Sequence, residues 1–224
     1  MPRIRDYQLR IASAGYLTSR AIFFNLRRYL TSYVFNYLES QPTHAIVLDV
    51  GCGQGPYRGL LENYRILGVN LDRIDASPEV VANGLYLPFL SGKFSVAICT
   101  QVIEHVTDPN LLLSEIGRCL EPNGLLVLSG PMHWPLHEEP HDYWRFTKYG
   151  LQHLLKKNGF ELIEINENGY AIALAILALN QIFRGALFFP LRACLNLIGL
   201  LAESQIRIRH STPNLSLVAR RVVL

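Results

Sequence analysis

Apolar residues follow two rhythms along this chain. Short unbroken runs, Ile46 to Val50, Arg65 to Leu71, Phe94 to Cys99 and Leu125 to Ser129, have the length and β-branched content of strands buried on both faces. Between and around them apolar residues recur every three or four positions. From Thr18 to Leu38 the stripe is Ile22, Leu26, Tyr29, Tyr33 and Tyr37, with Arg27 and Arg28 off it, which predicts an amphipathic helix. Helices are also predicted over Leu111 to Leu120 and Tyr149 to Asn158. Asp108 and Pro109 suit the N-cap and first position of the former, Glu121 to Gly124 stops it, and Gly159 closes the latter. Strands alternating with helices imply right-handed crossovers and a doubly wound, seven-stranded α/β sheet.

The C-terminal part breaks this rhythm. Phe160 to Ile165 alternates as a sixth strand, and Ser216 to Val222 is expected as its antiparallel partner at the sheet edge. A hairpin needs only a few residues, yet Gly169 to His210 intervenes, rich in Leu, Ile, Ala and Phe. Between Glu167 and Arg184 lie sixteen uncharged residues, too few for a bilayer span, and Arg184, Pro190 and Arg192 interrupt the apolar stretch beyond them. Two readings stay open for 170–202. Its helices lie in a membrane interface with the Arg side chains toward lipid phosphates, or they are buried against the N-terminal helix or in a homodimer. The chain thus divides into a helical cap (1–40), a sheet domain (41–168 with 211–224) and an apolar helical insertion (169–210).

With 224 residues, half of them apolar, one domain with a full-sized core is expected. The net charge of +3 is uneven: +4 over 1–40, −6 over 41–180 and +5 over 181–224. An acidic middle argues against nucleic acid as a partner, while basic ends suit an anionic surface. Cys52, Cys99, Cys119 and Cys194 form no metal-binding or redox spacing, and no apolar block precedes Arg20. These features suggest a cytoplasmic location, or a peripheral one at the inner face of the membrane.

The chemistry centres on Ala45-Ile-Val-Leu-Asp-Val-Gly-Cys-Gly-Gln-Gly-Pro-Tyr57, a strand running into glycines at alternate positions. Glycine there lets the chain turn and lets backbone approach a ligand closely. The G-x-G-x-G order differs from the dinucleotide G-x-G-x-x-G, and no phosphate-loop Lys-Ser/Thr comes after it. The stretch resembles motif I of class I S-adenosylmethionine-dependent methyltransferases, which implies S-adenosylmethionine as cofactor. It also implies methyl transfer to a small acceptor or a lipid- or glycan-linked one. The cofactor residues implied by the resemblance are Asp49, Gly51, Cys52, Gly53, Gly55, Asn70, Asp72, Asn83, Gly84 and Gln101.

The sequence departs from the family at three acidic positions. Asn70 stands where an acid takes the ribose hydroxyls, which weakens that contact by about 1 kcal/mol unless Asp72 shares its strand face. Asn83 stands where an Asp accepts from the adenine amino group, with Leu85 and Leu87 to Phe89 as an apolar wall. Ser95 replaces a third acid. These softened positions keep open a cofactor-binding partner without catalysis. A nicotinamide-dependent oxidoreductase is disfavoured by the glycine spacing.

Gln101 to His105 resembles the family's signature after the fourth strand, and the loop after the fifth, Gly130 to Phe146, should border the same crevice. His133, His137 and His141 recur every four residues, but Pro135 and Pro140 oppose a continuous helix, so no metal site is assigned. The loop resembles the His-Glu-Glu-Pro-His-Asp-Tyr loop of a bacterial subgroup of small-molecule methyltransferases. His137 and His141, followed by carboxylates, are expected as base or acceptor ligand, with Glu138 as a competing base. A structural loop in which Arg145 pairs with Asp142 or Glu139 is the alternative.

Overall fold

The computed structural model describes residues 11–40, 45–73, 76, 78–183, 185–205 and 211–222, with backbone alone for 203–205. Helix α1 (Tyr16–Tyr29) passes through a π-helical turn, Leu30–Val34, into α2 (Phe35–Glu39). Then come β1 (Ile46–Val50), β2 (Arg65–Asn70), β3 (Val80–Val81), β4 (Phe94–Thr100), α3 (Pro109–Cys119) and β5 (Leu120–Pro131). The chain ends with α4 (Lys148–Lys157), β6 (Phe160–Asn168), α5 (Ala171–Ile182), α6 (Phe189–Gln205) and β7 (Asn214–Arg221). The seven strands form one sheet in the order β3-β2-β1-β4-β5-β7-β6.

The first five are parallel, and β7 runs antiparallel to both its neighbours. The expected place of the last strand is corrected in one respect: β7 lies one position in, and β6 takes the edge. The reason is burial, because β7 is enclosed from Asn214 to Ala219 while β6 carries the half-exposed Glu164 and the exposed Glu161 suited to an edge.

Alternate residues of each strand face opposite layers. Leu48, Val50, Ala97, Cys99, Leu126 and Leu128 pack with Leu112, Leu113 and Ile116 of α3 and Leu151 and Leu155 of α4. Val47, Val96, Ile98, Val127 and Val218 pack with Leu26, Tyr29, Leu30, Val34 and Leu38. The N-terminal stripe therefore forms a layer of the core. Asp108 caps α3 by accepting from the amides of Asn110 and Leu111, with Pro109 at the first position. The segment after the glycines forms only a single 3-10 turn, Arg58–Leu60, because Tyr57 and Leu61 both turn into the core and Gly59 has poor helix propensity.

In the insertion, Ala173 and Ile176 of α5 bury against Leu17 of α1. Gly199 of α6 allows close approach, since a Cβ there would lie 2.5 Å from Leu17 Cδ1. Among the described residues no helix is long and apolar enough to cross a membrane. The expectation that Arg192 reaches toward lipid phosphates is corrected: its guanidinium donates to the carbonyls of Ala12 (2.9 Å), Phe183 (2.8 Å) and Gly185 (2.9 Å). Phe183 and Gly185 belong to the turn between α5 and α6, and Ala12 precedes α1, so Arg192 ties the two together. Arg184 lies outside the described residues.

Polar contacts lock α1 to the sheet. Tyr29 Oη donates to the buried Ser216 carbonyl (3.1 Å) and accepts from the half-buried Asn166 Nδ2 (2.6 Å). Glu164 pairs with Arg28 (2.6 Å) and accepts from Tyr33 Oη (2.7 Å), and these contacts hold its carboxyl down at about 2. Tyr29→Phe removes one hydroxyl, so the buried Ser216 carbonyl loses its donation and the half-buried Asn166 amide keeps only Glu164. The unfolding midpoint in urea is expected to fall by the equivalent of about 1–3 kcal/mol. An unchanged midpoint would show that α1 is not fastened this way.

Candidate functional site

Strand β1 delivers the glycine turn to the carboxyl end of the sheet. The amides of Gly51 and Cys52 both donate to the Val69 carbonyl (2.8 and 3.1 Å), and that of Gly55 donates to the Cys52 carbonyl (2.8 Å). Gly51, Gly53 and Gly55 have φ of 68°, 50° and 64°, which L side chains resist. A Cβ on Gly51 would lie 2.2 Å from Val102 Cγ2, whereas one on Gly53 would meet nothing within 4 Å. Gly53 is thus where the backbone lies open to a ligand. Cys52 is buried beneath, and that burial pushes its thiol up to about 11.

Asp49 sits under the turn at 5% exposure, and desolvation raises its carboxyl to about 7, with Arg58 partly opposing. Arg58 is held by Glu79 through two bonds of 2.6 Å, and Glu79 also accepts from the Gly68 amide (2.6 Å). Its carboxyl is drawn down to about 2, mainly by Arg58. A Cβ on Gly68 would lie 2.4 Å from Arg58 Nη2, so this clamp between the first turn and β2 requires glycine there. Sequence spacing carries no sign of it, since the partners are 21 residues apart.

The other expected cofactor residues divide. Strand β2 stops at Asn70, whose Nδ2 donates to the Asp72 carbonyl (3.2 Å), so Asp72 does not share a strand face with it. The Asp72 substitution for the missing acid therefore fails in that form. Asn83 Oδ1 accepts from the Leu85 amide (2.9 Å), leaving one lone pair for another donor. Leu85 and Leu87 are in the core, and Phe89 packs edge-on against Phe94 with centroids 5.0 Å apart. The apolar wall predicted from them is corrected, because α3 covers that face. Gly84 serves the same packing: a Cβ would lie 3.1 Å from Leu112 and 3.2 Å from Val50.

Gln101 comes directly after β4 with φ 56°. Its Nε2 donates to Ser129 Oγ (2.8 Å), and its Oε1 accepts from Asn214 Nδ2 (3.0 Å). Asn214 in turn accepts from Asn168 (2.9 Å), and Asn168 accepts from Asn25 of α1 (2.7 Å). A chain of amides thus ties the cap helix to the ends of β4, β5 and β7.

A crevice of about 180 Å³ opens at this end of the sheet. Ser19, Ile22 and Phe23 of α1 form one side and Tyr57 the floor, where burial raises its phenol. Gln101 and His105 come from the turn after β4, and Trp134, His137 and Glu138 from the loop after β5. That loop is non-helical, in keeping with its prolines. The amides of Tyr143 (2.9 Å) and Trp144 (3.3 Å) fasten it to the Glu104 carbonyl, and Trp144 Nε1 donates to the Val106 carbonyl (2.9 Å). Asp142 is clamped by Arg145 at 2.6 and 2.7 Å, which holds its carboxyl well below the usual range.

Of the three loop histidines only His137 reaches the crevice. His133 is exposed outside it, and His141 Nδ1 lies 3.0 Å from Tyr143 Oη, also outside. The placing of His141 at the reacting centre is thus corrected. The carboxylate beside His137 Nδ1 (3.2 Å) is Asp142, five residues on, rather than the adjacent Glu138. Glu104 and His105 matter more than their sequence suggests. Glu104 is fully buried with neither oxygen hydrogen-bonded, and burial raises its carboxyl to about 8.

A mostly parallel sheet with an open glycine turn at its carboxyl end defines a nucleotide-like cofactor binder of the doubly wound class. A family model described as a methyltransferase domain matches residues 24–165, and the chain belongs to that family. It is 32% identical over 95 residues to tRNA (carboxymethyluridine(34)-5-O)-methyltransferase of Schizosaccharomyces pombe, covering 40% of this chain and 42% of that one. It is also 32% identical over 108 residues to a ubiquinone biosynthesis O-methyltransferase of Xanthomonas axonopodis pv. citri, covering 40% and 44%. The matches thus span less than half of these relatives. Among solved structures, geranyl diphosphate C-methyltransferase of Streptomyces coelicolor A3(2), in complex with Mg2+, geranyl diphosphate and S-adenosyl-L-homocysteine, superposes with TM-score 0.58 at 16% identity. That superposition covers 97% of this chain and 88% of the other. S-adenosylmethionine is the cofactor of this family, and the open face at Gly53 fits it.

The raised Asp49 carboxyl makes stability depend on pH with a definite sign. Its contribution is fully present below about pH 4 and is lost as pH rises through about 7. Asp49→Asn is therefore expected to raise the melting temperature of the cofactor-free protein at pH 7.5 and to leave it unchanged at pH 4. An equal effect at both values would contradict this.

Proposed function

We propose that this chain transfers the methyl group of S-adenosylmethionine to an oxygen or nitrogen of a small or lipid-linked acceptor. The observation that carries the reading is the crevice. It lies between Tyr57, two residues past the last glycine of the turn, and a wall that offers His137 and Glu138, with Gln101 and His105 also lining it. The cofactor would lie on the turn at Gly53, with Asn70 and Asn83 as polar contacts. Methyl transfer needs the acceptor atom aligned and its proton removed. Glu138 takes the proton and His137 holds the acceptor, while Ile22, Phe23 and Trp134 exclude water.

A second cavity of about 410 Å³ shares Ser19 and Trp134 with the crevice and extends to Asn180 and Arg192. Its position suits the remainder of a longer acceptor. The insertion supports a lipid-linked source, since Leu187 (86% exposed) and Ile182 (71%) stand out near Phe188 and Phe189, and Leu201 (73%) stands out farther along α6. This apolar face would meet a membrane surface, with α5 seated on α1 behind it.

Calorimetry is expected to show S-adenosylmethionine binding that Gly51→Val abolishes, because its side chain would strike Val102 and distort the turn. Glu138→Gln should keep cofactor affinity and lower turnover about a hundredfold, whereas His141→Gln should retain most of both. Tight NAD binding without response to S-adenosylmethionine would refute the reading. For the insertion, Leu187→Asp with Leu201→Asp should abolish co-sedimentation with liposomes. A dimer indifferent to liposomes would place this face in a protein interface instead.

A further inference from the structure

Two side chains on the crevice wall, His105 and His137, and one buried behind it, Glu104, form a donor set that cofactor binding does not use. Glu104 is fully buried, and both of its oxygens lack a hydrogen-bond partner. Buried carboxylates are ordinarily satisfied, so an orphan calls for an explanation. Gly130 makes room for the preceding Ile103, since a Cβ there would lie 2.8 Å from Ile103 Cγ2. Glu104 Oε1 lies 3.9 Å from His105 Nε2.

Both neighbouring imidazoles are oriented from behind. His105 Nδ1 is 2.7 Å from the His141 carbonyl, which can only accept, so the proton is on Nδ1 and Nε2 keeps its lone pair. His137 Nδ1 is 3.2 Å from both Asp142 Oδ2 and the Pro135 carbonyl, two further acceptors, so its Nε2 is likewise left as a donor of electrons. Arg145 and the His137 amide hold Asp142 in place. A ring nitrogen that gives its hydrogen to a carbonyl or carboxylate while the other stays open is the usual support of a metal-ligating histidine. The rings meet edge to face with centroids 4.7 Å apart, and one ligand atom from each of Glu104, His105 and His137 lies within 4.8 Å of the others.

We propose that Glu104, His105 and His137 bind a divalent first-row transition ion at the wall of the acceptor crevice. Ligands on one such ion sit roughly 3–3.5 Å apart for bonds near 2.1 Å, so a contraction of up to about 1.5 Å completes the site. Two imidazoles and one carboxylate favour Zn2+, Co2+, Fe2+ or Mn2+ over Mg2+ and Ca2+, which take oxygen donors. Three protein ligands leave positions open, and His105 and His137 both face the crevice. These residues come from two loops, and the set is not the His133, His137, His141 repeat.

The role of the ion rests on the methyl-transfer reading, whereas its binding does not. An acceptor hydroxyl on the ion becomes acidic near neutral pH. Its proton passes to Glu138, whose Oε2 lies 3.8 Å from His105 Nε2. The oxygen's electron pair then forms the new bond to the methyl carbon as the carbon–sulfur bond breaks. The substrate class is therefore an O-methyl acceptor.

Full-length protein stripped with chelator is titrated with Co2+ and followed by visible absorption, beside calorimetry with S-adenosylhomocysteine. One saturable equivalent, displaced by Zn2+, is expected. His105→Gln, His137→Gln and Glu104→Gln should each weaken it about tenfold or more with S-adenosylhomocysteine affinity retained, and His133→Gln should leave it unchanged. If Glu104→Gln does not fold, the two more accessible histidine variants carry the test. Co2+ binding without methyl transfer would uphold the site and refute the activity. Folded protein that binds S-adenosylhomocysteine but gives no saturable Co2+ signal, or gives one indifferent to the three variants, would overturn the site alone.

Discussion

The amides of Tyr143 and Trp144 both end on the main-chain oxygen of Glu104, and this junction governs the geometry of the active end. It ties the turn after β4 to the long loop after β5, two segments that a parallel sheet brings side by side but does not itself connect. Because the junction uses backbone, the side chains of Glu104, His105 and His137 remain available. The Arg145–Asp142 pair then stiffens the loop from within, and the Trp144 indole anchors its far end to Val106. The crevice is therefore walled by a braced loop, with Trp134 reaching toward Gly15 at the start of α1.

The perturbed carboxyls fall into two groups. Glu79, Asp142 and Glu164 are paired with Arg58, Arg145 and Arg28, and their carboxyls are lowered by those partners. Asp49 and Glu104 are buried without such a bond, and their carboxyls are raised. The first group contributes to stability as pH rises above the carboxylate range, and the second opposes it. Buried acids without pairs cluster at functional sites more than elsewhere, and here they lie beneath the glycine turn and behind the crevice.

Much of the sheet could be read from the chain because its strands are short apolar runs, its helices carry three-to-four spacing, and Asp108, Pro109 and Gly159 mark the boundaries. The glycine turn was equally plain, since alternate glycines after a buried strand have few other uses. What periodicity cannot show is which distant residues meet. The Arg58–Glu79 clamp, the amide chain from Gln101 to Asn25 and the pairing of His137 with Asp142 all depend on tertiary contact. The placing of β7 inside the sheet, and of Leu85 and Leu87 in the core, turned on burial and not on local pattern. The carboxylates after them made His137 and His141 look alike in sequence, but the loop's irregular backbone brings only His137 to the crevice. The Glu104-His105 pair was visible in sequence, and its importance emerges only from its burial beside that loop.

The central claim is that the glycine turn presents the reacting end of the cofactor to the crevice between α1 and the loop after β5. A crystal structure with S-adenosylhomocysteine tests this most directly. The account predicts the thioether sulfur opening between Tyr57, Ile22 and His137, with the adenosine toward Asn70 and Asn83. A sulfur turned toward β3, with the crevice sealed from it by Tyr57 and Gln101, would contradict it.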